Sequence, residues 1–119
     1  MEASRSLRAS DEIAGEKATA PRVTLADLES KIVRTVFINA GAAARKMDIP
    51  TDAPGQDTLD LLTICIITMK NGFRQIGKAA PADPRNFDRR IGERYAYEDA
   101  FKGLWHLEGY LLCEKLATE

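Results

Sequence analysis

Apolar residues from Leu25 onward recur as Leu25, Leu28, Ile32 and Val36, with Val33 and Phe37 widening the stripe. Spacings of three and four mark an amphipathic helix, and predict one over residues 25–39. Thr24 stands before it as an N-cap with Asp27 three residues on, and Gly41 is its stop. The period then changes. Residues 61–69 are almost unbroken apolar, followed by Lys70-Asn71-Gly72-Phe73 and a mixed run over 74–80. Asn-Gly between apolar runs predicts a type I′ hairpin, because both central residues of that turn need positive φ. Pairing about Asn71-Gly72 sets Thr68 opposite Gln75, Ile66 opposite Gly77 and Ile64 opposite Ala79 on one face. The first strand is apolar on both faces, which suits burial on both sides; the second suits an edge.

A third pattern opens after Asp83-Pro84, a cap followed by proline at the first helical position, with Asn86 or Asp88 as alternative caps. Phe87, Ile91, Tyr95, Tyr97, Phe101, Leu104, Trp105, Leu107 and 110–112 then extend as one long helix or two abutting ones. Gly92, Gly103 and Gly109 are places to bend or pack closely. Trp105, Tyr110, Leu111 and Leu112 read as core or as an interface between copies. Residues 40–55 contain two prolines and two glycines. They read as a loop, either a plain linker or a clasping arm, with a short helical continuation through the alanines. Residues 1–21 show no sustained apolar period and read as a mobile tail, leaving 22–119 as one domain.

The expected class is therefore α+β: an N-terminal helix, an antiparallel hairpin and a long C-terminal helix. A domain this small buries a small share of its surface and a lone hairpin is barely stable, so a homo-oligomer is expected. Composition adds mainly exclusions. With 17 basic and 18 acidic residues the net charge is −1, which gives no general attraction to nucleic-acid polymers or membranes. No apolar run approaches the ~18 residues of a membrane span, and no secretory leader opens the chain. Cys65 and Cys113 sit in apolar contexts without metal-like spacing, and read as buried free thiols of a reducing cytoplasm. His106 is alone, and no phosphate-loop, dinucleotide, zinc or nucleophile motif accompanies it. Neither catalysis nor a cofactor is indicated.

Three groups of residues remain as candidate chemistry. Arg90, Arg94, Glu98, Lys102 and His106 recur every four residues. They read either as a solvated face with intrahelical pairs or as a ridge gripping an anion. Asp83 and Asn86 lie in a polar loop feeding a helix N-terminus, which serves either capping or an anionic ligand. Phe73, beside the turn, is either a core residue or a stacking platform for a base.

Lys70-Asn71-Gly72-Phe73, Gly77, Asp83-Pro84, Asn86-Phe87-Asp88, Ile91-Gly92, Ala96-Tyr97-Glu98-Asp99-Ala100, Trp105 and Leu107-Glu108-Gly109-Tyr110-Leu111-Leu112 together resemble the phage gene product 49/gene product 66 family. The likeness extends to the first helix. Where the family habit is a small Ser-Ala-Cys-like segment, this chain carries Lys78-Ala79-Ala80-Pro81. The resemblance implies kinship with type-one Thoeris anti-defence proteins, phage sponges that bind a cyclic ADP-ribose signal made by TIR-domain enzymes. Some such sponges also sequester the cyclic oligonucleotides of CBASS defence. They bind without cleaving, at interfaces of symmetric oligomers, here a dimer or hexamer in the host bacterial cytoplasm. On that likeness Phe73 is the base platform, Asp83 and Asn86 bond ribose or a base edge, and Arg90, Arg94 and Lys102 hold the pyrophosphate. The alternative is an interaction module that docks on a host or phage protein.

Overall fold

A computed structural model describes residues 5–17 and 20–119. In chain order the elements are α1 (Arg5–Lys17), α2 (Leu25–Glu29), β1 (Ile32–Asn39), α3 (Ala40–Lys46), β2 (Thr63–Met69), β3 (Arg74–Ala79) and α4 (Arg89–Ala117). Short 3-10 turns precede β2 at Thr58–Leu61 and α4 at Pro84–Asn86. The class is α+β, as the patterning predicts.

The helix expected over 25–39 is instead a short helix followed by a strand. Thr24 and Asp27 form the capping box that starts α2, the two bonds measuring 3.0 and 3.1 Å. Five of the eight residues of β1 are β-branched (Ile32, Val33, Thr35, Val36, Ile38), and such side chains favour a pleated strand over a helix. A run apolar on both sides satisfies either period, and pairing with β2 decides between them. The result is a three-stranded antiparallel sheet in the order β1-β2-β3. β2 is central and β3 an edge, as expected, but burial of β2 is one-sided: Thr63, Cys65, Ile67 and Met69 are buried while their neighbours are half-buried.

The hairpin register lies one residue from the expected one. Thr68 pairs with Arg74, Ile66 with Ile76 and Cys65 with Gly77. The cause is the turn. Only Gly72 has positive φ (87°), so the connection is a three-residue loop, Lys70–Gly72, with a left-handed glycine at its end, and no two-residue type I′ turn forms. A one-residue shift exchanges faces, which puts Gln75, Gly77 and Ala79 beneath α4 and turns Arg74, Ile76 and Lys78 away.

Asp88 caps α4, its Oδ1 accepting the N–H groups of Arg90 and Ile91 at 2.9 and 3.1 Å. The helix runs 29 residues without a break and antiparallel to β3. Gly77 makes this approach possible, because a Cβ there would collide with the backbone of Ala96 and Ala100. Leu25, Leu28, Cys65, Ile67, Tyr97, Phe101 and Leu104 fill the space between sheet and helices. The rings of Tyr97, Phe101 and Trp105 meet in sequence along α4, with centroids 5.5 and 5.6 Å apart, the first pair tilted and the second edge-to-face. Burying each large side chain of this set contributes roughly 1.5–3 kcal/mol. On the outer edge of the sheet, Asp99 Oδ2 accepts the Lys78 N–H at 2.9 Å.

Within the stretch read as a tail, Arg5–Lys17 is helical. Its anchors are chiefly polar, which is why no apolar period marks it. Asp11 accepts from the Arg22 guanidinium at 3.0 Å and from the Leu25 N–H at 2.9 Å, and the Ser6 hydroxyl donates to Glu98 at 2.6 Å. The alanines after β1 do continue as a helix, α3. Asn39 caps it by accepting the Ala42 N–H at 3.0 Å. Arg45 grips Asp60 through two bonds of 2.7 Å, fastening the loop that follows. Of the two thiols expected to be buried, Cys65 is and Cys113 is exposed, since the last turns of α4 extend beyond the sheet.

Candidate ligand-binding groove

The length mismatch between α4 and the hairpin shapes a largely apolar concavity. Six residues of β3 span about 20 Å, while the 29 residues of α4 span about 43 Å, so the helix overruns the turn. Its stripe continues into the overhang, leaving Leu107, Tyr110 and Leu111 at 42%, 66% and 54% exposure. Beneath them the turn is tightly closed. Met69 donates to the Phe73 carbonyl at 2.8 Å, Gly72 to the Met69 carbonyl at 2.9 Å, and Asn71 Oδ1 accepts the Phe73 N–H at 2.9 Å. These bonds hold Phe73 outward, 46% exposed.

Between turn and overhang lies a groove of about 450 Å³, floored by Met69 and Leu104 and walled by Phe73, Leu107, Tyr110 and Leu111. Lys31, Lys70, Asn71 and Glu108 form its rim. The Lys70 N–H donates to the Lys31 carbonyl at 2.8 Å, which sets the two lysines side by side. Lys31 Nζ pairs with Glu108 at 2.6 Å, so Lys70 is the rim cation without an acidic partner among the described residues. The groove can therefore take a flat apolar or aromatic group, with cationic and amide donors at its mouth.

The other expected site residues lie elsewhere. Asp83 and Asn86 are at the opposite end of β3 from Phe73, with Arg90 just beyond them on α4. Asp83 caps the Pro84–Asn86 turn through the Arg85 N–H and pairs with the Arg85 guanidinium at 2.7 Å. Those bonds, the guanidinium's first, hold its carboxyl below the usual carboxylate range. Asp88 likewise occupies the first N–H groups of α4, so the helix start turns a carboxylate, and no free anion site, toward solvent. Asn86 lines a second hollow of about 360 Å³ with Pro81, Asp88, Ile91 and Tyr95.

Nor do the helix cations form one ridge. A four-residue step advances about 400° around an α-helix, so each member sits about 40° further round and Lys102 lies about 120° from Arg90. Arg94 pairs with Glu98 at 3.4 Å, the intrahelical alternative. Of the expected set, only Phe73 lines the groove. The patterning did not single out Lys31, Lys70, Asn71 or Glu108 as site residues, and left Leu107 and Tyr110 as helix stripe or interface. The mismatch between a helix of this length and a short hairpin was the signal that could have found them.

Residues 23–116 match the phage protein (N4 Gp49/phage Sf6 gene 66) family. The chain belongs to this family. No curated protein and no solved structure matches it. The part shared with the Gp49/Gp66 family includes the whole groove, the sheet and nearly all of α4, and leaves α1 outside. Among the described residues, no helix of this family member is long and apolar enough to cross a membrane. No cluster of three or more His, Cys, Asp or Glu suited to a metal occurs among them either.

Proposed function

We propose that this Gp49/Gp66 family protein captures a cyclic nucleotide-derived immune signal, of the cyclic ADP-ribose class, in the turn-end groove and holds it uncleaved. The carrying observation is Phe73: an exposed aromatic residue on a closed turn, lining an apolar groove together with Tyr110. Base–aromatic stacking contributes roughly 1–3 kcal/mol per base. The volume of about 450 Å³ falls within the range of small-molecule sites. Lys70 and the Asn71 amide are placed for a phosphate and a ribose or base edge. The lining holds no nucleophile paired with a base, and Glu108 is engaged by Lys31, which favours binding over turnover. Such a sponge acts by affinity and copy number alone. A homo-oligomer belongs to the same reading, since a second copy resting on the uncovered end of α4 would close the groove over its ligand.

Calorimetry with cyclic ADP-ribose isomers and cyclic di- and trinucleotides tests this. Heat with at least one of them is expected, with affinity falling about 5- to 150-fold in Phe73→Ala, the range that stacking supplies. Absence of heat with all of them rejects the reading. The uncovered Leu107 and Leu111 also favour a second reading, in which the groove seats an apolar segment of a host or phage protein. Ligand recovered intact from the protein purified out of cells that make the signal would decide for the sponge.

A further inference from the structure

The sheet has a second face that neither the core nor the groove uses. α4 lies over the side carrying Cys65 and Ile67; on the other, Val36, Ile66 and Ile76 make a continuous apolar row across all three strands. Ile76 is 62% exposed. Arg34 and Arg74 flank that row on the turn side, and Lys78 flanks it on the other.

Charge and size together select an occupant. The strand residues of this face include three cations and no carboxylate, in a chain of net charge −1. Strands about 4.8 Å apart and some five residues long give a footprint of roughly 250 Å². A stable dimer buries about 800 Å² per partner, so a second copy seated here alone falls short. Two copies face to face would also oppose like charges, Arg34 over Arg74 in one two-fold orientation and Arg74 over Lys78 in the other. A single helix, about 10 Å across with its side chains, fits the footprint.

We infer that this face receives an acidic amphipathic helix of a partner protein. The helix is about three turns long, lays its apolar stripe on Val36, Ile66 and Ile76, and directs carboxylates to Arg34, Arg74 and Lys78. It would convert a two-layer domain into a three-layer one, without engaging the groove.

A yeast-displayed library of random peptides about sixteen residues long, sorted against the full chain, tests the assignment. The counter-target is the double variant Arg34→Glu/Ile76→Glu; both positions are exposed, and circular dichroism checks that it folds. Enriched peptides are expected to carry apolar residues at i, i+3 and i+4 with flanking Asp and Glu. They should bind the wild type at least about tenfold more tightly than the variant, the scale of a lost hot spot, and weaken as salt is added. Basic winners, equal binding to the variant, or no enriched sequence would each overturn the inference. So would sedimentation showing a wild-type dimer that Arg34→Glu/Ile76→Glu dissociates, which would give the face to a second copy. No nucleotide enters the experiment, so its outcome is independent of the test of the groove.

Discussion

At the loop end of the sheet Asp60, Asp83 and Asp88 turn their carboxylates onto neighbouring guanidinium and N–H groups of the chain. At the turn end Phe73, Leu107, Tyr110 and Leu111 stand uncovered. The loop end has guanidinium and N–H groups that suit an anionic ligand, yet internal carboxylates already engage those of Arg45, Arg85 and the first turn of α4. On the proposed reading, capacity for a ligand lies where groups lack partners, at the apolar end. The difference also separates roles: loop-end side chains hold the fold, whereas turn-end side chains are available for binding.

Substitutions should divide along the same line. The largest effect is expected at Gly77, on which the seating of α4 across both ends depends. Gly77→Ala forces a methyl into the Ala96–Ala100 backbone and should cost about 3 kcal/mol, the upper range for overpacking, measured by urea unfolding. A loss below about 1 kcal/mol would mean that α4 can slide, and that the groove is less rigid than its turn. Asp88→Ala should follow with about 1 kcal/mol, the cost of losing an N-cap, while ligand heats stay those of the wild type. Phe73→Ala is the mirror case, with stability within about 0.5 kcal/mol of wild type, as for an exposed side chain, and ligand affinity reduced by the stacking contribution. Ligand loss in Arg90→Ala or Arg94→Ala with Phe73→Ala unaffected would reverse the comparison.

Acid titration probes the loop end separately. The Arg45 guanidinium bonded to Asp60 draws its carboxyl down from 3.8 to about 2. The folded state thus binds fewer protons than the unfolded one, so this support is full above about pH 4 and fades as pH falls toward 2. Melting temperature should drop through that window, and Asp60→Asn should lack this part of the slope. The smallest effect is chemical. Burial pushes the Cys65 thiol up to about 11, so a thiol reagent at neutral pH should label exposed Cys113 alone until the chain unfolds.

Much of the fold was legible because its signals are local. Thr24 and Asp27 cap α2, the alanines after Asn39 do form α3, and Asn71-Gly72 marks the hairpin. The strand at 32–39 was not legible as such, since a run apolar on both sides fits two periods until a partner strand selects one. The register failed by one residue because Asn71 does not adopt positive φ, which turn composition alone does not reveal. Phe73 was legible only as either a core residue or a stacking platform, and the structure leaves it 46% exposed. The groove around it was not legible, because it arises from the relative lengths of two elements distant in sequence. Asp83 and the helix cations were singled out for their chemistry, but Arg85 and Glu98 already pair with Asp83 and Arg94.

One bond described above bears on how much of this protein a cell could hold. An edge strand with free amides invites another strand to add to it, the first step toward fibres. On β3, Asp99 takes the Lys78 N–H, and the Lys78 side chain adds a charge at the same point. The edge is thereby spoiled as a template near its end. A protein acting as the proposed sponge has to stay dispersed when abundant, and this carboxylate on α4 favours that.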